Sequence, residues 1–102
     1  MEAMNPAQAS RTVTVANRAG LHARAALLVA NCVRDFQANV ELVMDRQRAD
    51  ALRMVEVLSL GAAQGQSITL EATGPEAEAV LDSLERLFAA RFHEDDAEAE
   101  HH

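Results

Sequence analysis

The chain has 102 residues, which is enough for one domain around a single core and too short for a multidomain enzyme. Its formal net charge is −7, with nine arginines and no lysine, which excludes a general nucleic-acid binder because such proteins present a basic surface. Five of the 16 acidic residues lie in the last ten positions, so the rest of the chain is nearly neutral.

Cysteine usage and hydropathy restrict the compartment. The single cysteine, Cys32, cannot form an internal disulfide, and no Cys and His spacing offers four zinc ligands, so we expect a reducing, cytoplasmic setting and no metal. The longest aliphatic run, residues 25–30, is too short to cross a bilayer, and the first ten residues lack a signal-peptide pattern. We therefore predict a protein that is neither exported nor inserted into a membrane.

Both ends of the chain lack the apolar periodicity of a folded element. Residues 1–10 are small and polar with an early proline, and residues 93–102 are acidic and rich in alanine. We predict a flexible N-terminal segment over 1–10, one domain over 11–92 and a disordered acidic tail over 93–102. His101 and His102 resemble the remainder of a purification tag and are excluded from any site.

Seven elements are predicted within the domain. Period-two alternation indicates strands, and apolar residues three and four positions apart indicate helices. The predicted elements are a strand at 12–15, a helix at 23–36, strands at 40–44 and 47–49 with a turn at Asp45-Arg46, a helix at 51–60 capped by Asp50, a strand at 67–70 and a helix at 77–92. This β-α-β-β-α-β-α order predicts an α+β two-layer sandwich, with helices on one face of an antiparallel sheet. The pattern alone fits a ferredoxin-like strand order and related orders equally well.

The segment from Asn17 to Arg24 places a histidine, His22, between the first strand and the first turn of the first helix. The free N–H groups and the dipole of that turn favour a phosphate, to which Arg24 can add a charge-assisted contact. The same field disfavours imidazolium, so His22 retains the lone pair needed to attack phosphorus. Gly20 permits a tight turn that leaves His22 accessible. Alternatively, His22 is an ordinary polar residue at a helix start, and Arg24 lies on a solvated face.

The string Gly20-Leu21-His22-Ala23-Arg24, preceded by Val13-Thr14-Val15 and Asn17, resembles the phosphorylation-site signature of HPr, the histidine phosphocarrier of the bacterial sugar phosphotransferase system. Similar strings follow at Ala25-Ala26, at 57–61, at Gln64-Gly65 and in the helix after Gly74-Pro75-Glu76, so the resemblance spans about residues 11–92. It implies the HPr-like fold, in which four antiparallel strands in the order 1-4-2-3 carry three helices on one face.

The resemblance also implies a role for each site residue. His22 would accept a phosphoryl group on Nδ1 from phosphorylated enzyme I, which phosphoenolpyruvate charges, and would pass it to an enzyme IIA domain. Ala23 and Arg24 would bind the phosphoryl oxygens, and Asn17 would orient the site. Such a carrier is not an enzyme with turnover of its own, and it needs no cofactor because the magnesium requirement belongs to enzyme I.

Two positions depart from the family pattern. Ala25 stands where HPr usually has proline, which puts the transfer rate and the partner preference in question rather than the identity of the acceptor. Arg53 stands where many HPr proteins carry a serine that HPr kinase phosphorylates, so we expect no regulatory serine.

The short helix is apolar nearly all round, although a two-layer sandwich needs only one apolar face. Part of its surface should therefore remain exposed, unless the helix is buried on all sides. We predict an apolar patch beside His22, where HPr proteins bind enzyme I and IIA domains, with Arg18, Arg24 and Arg53 as a positive rim. The predicted partner-binding residues are Leu27, Arg53, Met54, Val55 and Leu58.

The sequence is compatible with several functions. The first is a phosphocarrier for sugar transport, and the second is a carrier in a regulatory or nitrogen-related branch without transport. The third is an unphosphorylated interaction module, which would need neither His22 nor Arg24. A small-ligand binding domain is a fourth, for which the short chain leaves little room. As a carrier that meets two partners through one face, the protein is expected to be a monomer.

Overall fold

A computed structural model describes residues 8–94, which form a four-stranded antiparallel sheet with three helices. The strands are β1 (Gln8–Thr14), β2 (Asn39–Met44), β3 (Gln47–Asp50) and β4 (Ser67–Thr73), and the helices are α1 (Ala23–Arg34), α2 (Met54–Ser59) and α3 (Ala77–Ala89). The strand order β1-β4-β2-β3 confirms the predicted 1-4-2-3 order and the open-faced α+β sandwich. Within residues 8–94, no helix is long and apolar enough to cross a membrane.

The sheet begins earlier than predicted. Residues 8–10, predicted as part of the flexible N-terminal segment, belong to β1, and Gln8 lies opposite Thr73 of β4. The correction has a physical reason, because β4 also runs three residues past its predicted end at Leu70 and gives β1 a backbone to pair with. The rest of the predicted N-terminal segment, residues 1–7, lies outside the described residues.

The second helix is shorter than predicted. It begins at Met54 with Arg53 as its N-cap residue, so the prediction that Asp50 caps a helix at Ala51 is wrong. The carboxylate of Asp50 instead accepts the backbone N–H of Leu52 at 2.9 Å, which forms a turn before the helix. Such local side-chain bonds compete with helix formation in the first residues after an Asp.

The core lies between one face of the sheet and the apolar stripes of α1 and α3. Helix α1 contributes small and β-branched residues, so it can approach the sheet closely, and α3 contributes larger side chains. The buried helix residues are Ala25, Ala26, Val29, Ala30 and Val33 of α1 and Ala77, Val80, Leu81, Leu84 and Phe88 of α3. The facing strand residues include Val13, Val40, Leu42, Ile68 and Leu70, which alternate with exposed or half-buried neighbours as the period-two pattern predicts.

Backbone hydrogen bonds fix the segment between β1 and α1 against the segment between α2 and β4. Val15 and Gly65 are joined by a bond of 2.8 Å from the Gly65 N–H to the Val15 carbonyl, and the Leu21 N–H donates to the Ala62 carbonyl at 3.0 Å. Both Val15 and Leu21 are buried. The residues between β1 and α1 are therefore held at two points by the segment between α2 and β4.

Candidate phosphoryl-acceptor site

His22 is the N-cap residue of α1 and has an extended backbone, with φ −89° and ψ −174°. Its carbonyl accepts the Ala26 N–H at 2.9 Å, which is the first bond of the helix, and its Nδ1 accepts the backbone N–H of Arg24 at 3.3 Å. Its Nε2 lies 2.5 Å from Oε2 of Glu94. An amide N–H only donates and a carboxylate only accepts, so these partners place the ring proton on Nε2 and a lone pair on Nδ1.

Asn17 lies behind His22 and is wholly buried. Its Nδ2 donates to the carbonyl of Gly20 at 2.8 Å and to Oε2 of Glu94 at 3.2 Å. Within the described part of the chain its Oδ1 has no hydrogen-bond partner. Asn17 is therefore linked to His22 in two ways. It binds the carbonyl of Gly20 in the turn before His22, and it shares the Glu94 carboxylate with the His22 ring.

The turn before His22 requires glycine at position 20 for two reasons, namely the backbone conformation and the lack of space for a side chain. Its φ of +72° lies in the left-handed region, which glycine adopts readily. A Cβ at this position would lie 2.6 Å from the Ala62 carbonyl oxygen, and that oxygen accepts the hydrogen bond from Leu21. The turn before His22 is thus in direct contact with the chain that follows α2.

The first turn of α1 presents exposed residues next to His22. Ala23 and Arg24 are both exposed, so the guanidinium of Arg24 is accessible beside the free N–H groups of that turn. Ala25, which stands where HPr proteins usually have proline, is completely buried, and α1 begins two residues before it. Alanine thus supports a regular first turn, which is consistent with its high helix propensity.

Glu94 was not predicted as a site residue, because it falls with His93 in the predicted disordered acidic tail. Those two residues are ordered because Phe92 is buried and contacts Phe88, with ring centroids 4.8 Å apart at an angle of 64°. The sequence held a signal for this, because Phe92 completes the apolar stripe of α3 and so keeps the chain on the core up to that residue. The remainder of the predicted tail, residues 95–102, lies outside the described residues.

The predicted apolar patch, Leu27 of α1 with Met54, Val55 and Leu58 of α2, is largely exposed. Leu27, Val55 and Leu58 are 44%, 77% and 38% exposed, and Met54 is half buried. Val57 of the same helix is buried, but Val55 and Leu58 are exposed, so the alternative in which α2 is buried on all sides is wrong.

A basic residue and a polar residue stand at the two ends of α2. Arg53 is exposed at the start of α2, with its Nη1 3.8 Å from Oε2 of Glu56. The hydroxyl of Ser59, at the other end of α2, donates to the Val55 carbonyl at 2.8 Å within the helix.

Cys32 lies half buried in an open groove of about 750 Å³ between α1 and α3. Burial raises the pKa of its thiol, and a hydrogen bond with Ser83 opposes that shift. A raised pKa leaves less thiolate at neutral pH, which fits the interpretation of Cys32 as a small apolar side chain rather than a redox group. Among residues 8–94 there is no cluster of three or more His, Cys, Asp or Glu side chains that could hold a metal ion.

The fold and the site together define a class of protein, namely a small open-faced sandwich with one accessible histidine at the start of a helix. A family model described as "PTS HPr component phosphorylation site" matches residues 9–90. The chain therefore belongs to the HPr family of phosphocarrier proteins of the phosphotransferase system.

Individual relatives agree with this assignment. The chain is 38% identical over 85 residues to the phosphocarrier protein HPr of Treponema pallidum, a match that covers 83% of this chain and 97% of the relative. It is also 38% identical over 84 residues to the phosphocarrier protein NPr of Shewanella violacea, covering 82% and 92%. Among solved structures, HPr-C-His from Thermoanaerobacter tengcongensis superposes with a TM-score of 0.81 at 29% identity, covering 85% of this chain and 98% of that one.

Proposed function

We propose that this protein carries a phosphoryl group on Nδ1 of His22, which it accepts from phosphorylated enzyme I and passes to an enzyme IIA domain. The observation that carries the proposal is the pair of contacts to the ring, because the Arg24 amide and the Glu94 carboxylate leave the lone pair on Nδ1. That nitrogen lies at the positive end of α1, where a phosphoryl group is favoured.

The transfer uses groups that the site already holds. The Nδ1 lone pair forms the new bond to phosphorus while the bond between phosphorus and its donor breaks, and that electron pair leaves with the donor. The Arg24 N–H leaves Nδ1 when that nitrogen bonds to phosphorus, and it then donates to a phosphoryl oxygen together with the Ala23 N–H. The exposed Arg24 guanidinium faces the same oxygens. Asn17 orients the acceptor through its bond to Gly20.

The experiment that tests the proposal is intact mass spectrometry of the purified protein mixed with enzyme I, magnesium and phosphoenolpyruvate. We expect a gain of one phosphoryl group that is lost in acid, as a phosphoramidate bond requires. Reactions without phosphoenolpyruvate or without enzyme I are the controls and should show no gain. A protein that stays unmodified with its matching enzyme I would instead be an unphosphorylated interaction module.

We also propose that both partners bind the apolar patch together with Arg53. The patch exposes large apolar side chains on α1 and α2, and such surfaces on soluble proteins commonly mark interaction sites. Exposed Arg53 and Arg24 add positive charge that attracts acidic partners, although the whole chain is negative.

Val55→Asp tests the patch, because Val55 is 77% exposed and its replacement removes little from the core. We expect enzyme I to phosphorylate the variant about 10-fold more slowly, since a carboxylate desolvated at an apolar interface costs roughly 1.4 kcal/mol or more. Ala79→Asp, which adds the same charge at an exposed position of α3, is the matched control and should react at the wild-type rate. Equal rates for the two variants would move the docking surface elsewhere.

Whether the carrier serves sugar transport or a nitrogen-related regulatory branch is a separate proposal. Equal identity to an HPr and to an NPr favours neither, so a nitrogen-related regulatory branch is a second candidate beside sugar transport. Transfer from the phosphorylated protein to a sugar-type IIA domain and to a nitrogen-type IIA domain, measured side by side, separates the two.

In either branch we propose a cytoplasmic monomer that contacts neither nucleic acid nor membrane and needs no cofactor. Arg53 leaves α2 without a regulatory serine at the usual position.

A further inference from the structure

Glu94 brings a carboxylate from the C-terminal end of the described chain to the acceptor histidine. Its Oε2 contacts His22 Nε2 at 2.5 Å and accepts the Asn17 Nδ2–H at 3.2 Å. Its side chain is only 17% exposed, whereas that of His22 is 35% exposed. The carboxylate is therefore more protected than the ring that it contacts, and one of its oxygens serves both site residues.

The fold sets the position of this carboxylate. After α3, residues 91–93 form a turn with left-handed φ values of 57°, 54° and 61°, and Phe92 in this turn is buried in the core. The N–H of His93 donates to the Ala90 carbonyl at 2.9 Å, and the N–H of Glu94 donates to the Arg91 carbonyl at 3.0 Å. Non-glycine residues adopt this conformation at an energetic cost, so the surrounding contacts must hold the turn in place.

We infer that Glu94 is a positioning residue for phosphoryl transfer, an inference that rests on the proposed function of His22. The carboxylate holds the proton on Nε2, and this selects the tautomer whose Nδ1 carries the lone pair. When Nδ1 bonds to phosphorus, the ring becomes a phosphorylated imidazolium that keeps its Nε2 proton. The negative charge 2.5 Å from Nε2 stabilises that positive charge as it develops.

The shared oxygen also links the turn before α1 to the turn after α3. Asn17 donates to Glu94 and to the Gly20 carbonyl, so the turn before His22 and the turn after α3 are held by one buried amide. Loss of the carboxylate would free both the ring and this amide. The effect should therefore appear in the rate of transfer more than in the stability of the core.

Two variants separate charge from geometry. Glu94→Gln keeps an oxygen that can accept the Nε2–H but removes the charge, and Glu94→Ala removes both. We expect the rate of phosphorylation by enzyme I to fall about 10-fold in Glu94→Gln and up to about 100-fold in Glu94→Ala, as the loss of a charge-assisted hydrogen bond predicts. Glu78→Gln, the same substitution at a side chain that is 71% exposed on α3, is the matched control.

A second readout does not depend on any partner protein. The ¹⁵N chemical shifts of the His22 ring in the unphosphorylated protein, recorded over a series of pH values up to the plateau at alkaline pH, report which nitrogen holds the proton. We expect protonated Nε2 in the wild type and in Glu94→Gln, and a mixture of tautomers in Glu94→Ala. A wild type with the proton on Nδ1, or a Glu94→Ala variant with the wild-type rate, would overturn the inference. If the wild type itself accepts no phosphoryl group, the proposed function fails, while the ring shifts still test the contact.

Discussion

Replacement of His22 by alanine is expected to abolish phosphoryl incorporation from enzyme I and phosphoenolpyruvate. The variant lacks the only nucleophile that the site places at the start of α1, and the Arg24 amide and the Glu94 carboxylate that face the ring cannot replace it. A backbone amide does not attack phosphorus, and an acyl phosphate on the carboxylate would not share the stability of a phosphohistidine in alkali. Intact mass, measured before and after treatment with acid and with alkali, shows whether any phosphoryl group remains and whether it is a phosphohistidine.

The control for this prediction is His93→Asn. His93 is the other histidine among residues 8–94, and asparagine tolerates its left-handed backbone, with φ 61°, better than most residues. This variant should gain one phosphoryl group as the wild type does. An acid-labile gain that persists in His22→Ala and disappears in His93→Asn would assign the acceptor to the C-terminal turn instead.

Stability measurements show whether His22→Ala remains folded. The substitution removes an N-cap side chain that accepts a long bond of 3.3 Å and contacts the Glu94 carboxylate. An N-cap replacement costs about 1 kcal/mol, and the loss of a hydrogen bond to a charged group costs about 1.5 kcal/mol. A domain of this size has a free energy of unfolding of about 5 to 15 kcal/mol, so the variant should stay folded. Unchanged far-ultraviolet circular dichroism together with no phosphorylation would assign the loss to chemistry.

The order and type of the elements were predictable from the sequence because each has a strong period. Alternation in β2 and β4 and the apolar stripes of α1 and α3 reflect burial on one face, and burial decides the structure there. The turn at Asp45 was also predictable without a glycine, since Asp tolerates the left-handed conformation it adopts, with φ 56°. Strand order came from the family resemblance, because periodicity does not record which strands pair.

The ends of the elements and part of the site were not predictable in the same way. Gln8 joins the sheet through backbone pairing with a distant strand, which leaves no mark on its own side chain. His22 and Arg24 stand in a short contiguous motif and were found. Glu94 lies 72 positions from His22 and reaches it through the buried Phe92 and a turn of unusual backbone, so no local pattern reveals the contact.

Replacement of Gly20 by alanine should cause the largest loss of stability among the variants considered. The left-handed backbone at φ +72° costs a non-glycine residue about 1 kcal/mol. The new Cβ would also lie 2.6 Å from the Ala62 carbonyl oxygen and 3.2 Å from the Ala63 Cα, so the backbone itself must move. Overpacking of this kind adds roughly 1 to 3 kcal/mol, and we expect a total loss of about 3 kcal/mol in urea unfolding.

Gly61→Ala isolates the steric part of this effect. Gly61 has nearly the same backbone, with φ +64°, but nothing lies within 4 Å of the Cβ that alanine would add. It should therefore lose only about 1 kcal/mol and keep the wild-type rate of phosphorylation. Gly20→Ala should also slow phosphorylation, because moving the Ala62 carbonyl disturbs the 3.0 Å bond from Leu21, the residue next to His22. Equal losses of stability in the two variants would contradict the steric part of this prediction. They would show that the backbone around Gly20 can move to accommodate a Cβ, so that close packing against Ala62 does not determine the position of His22.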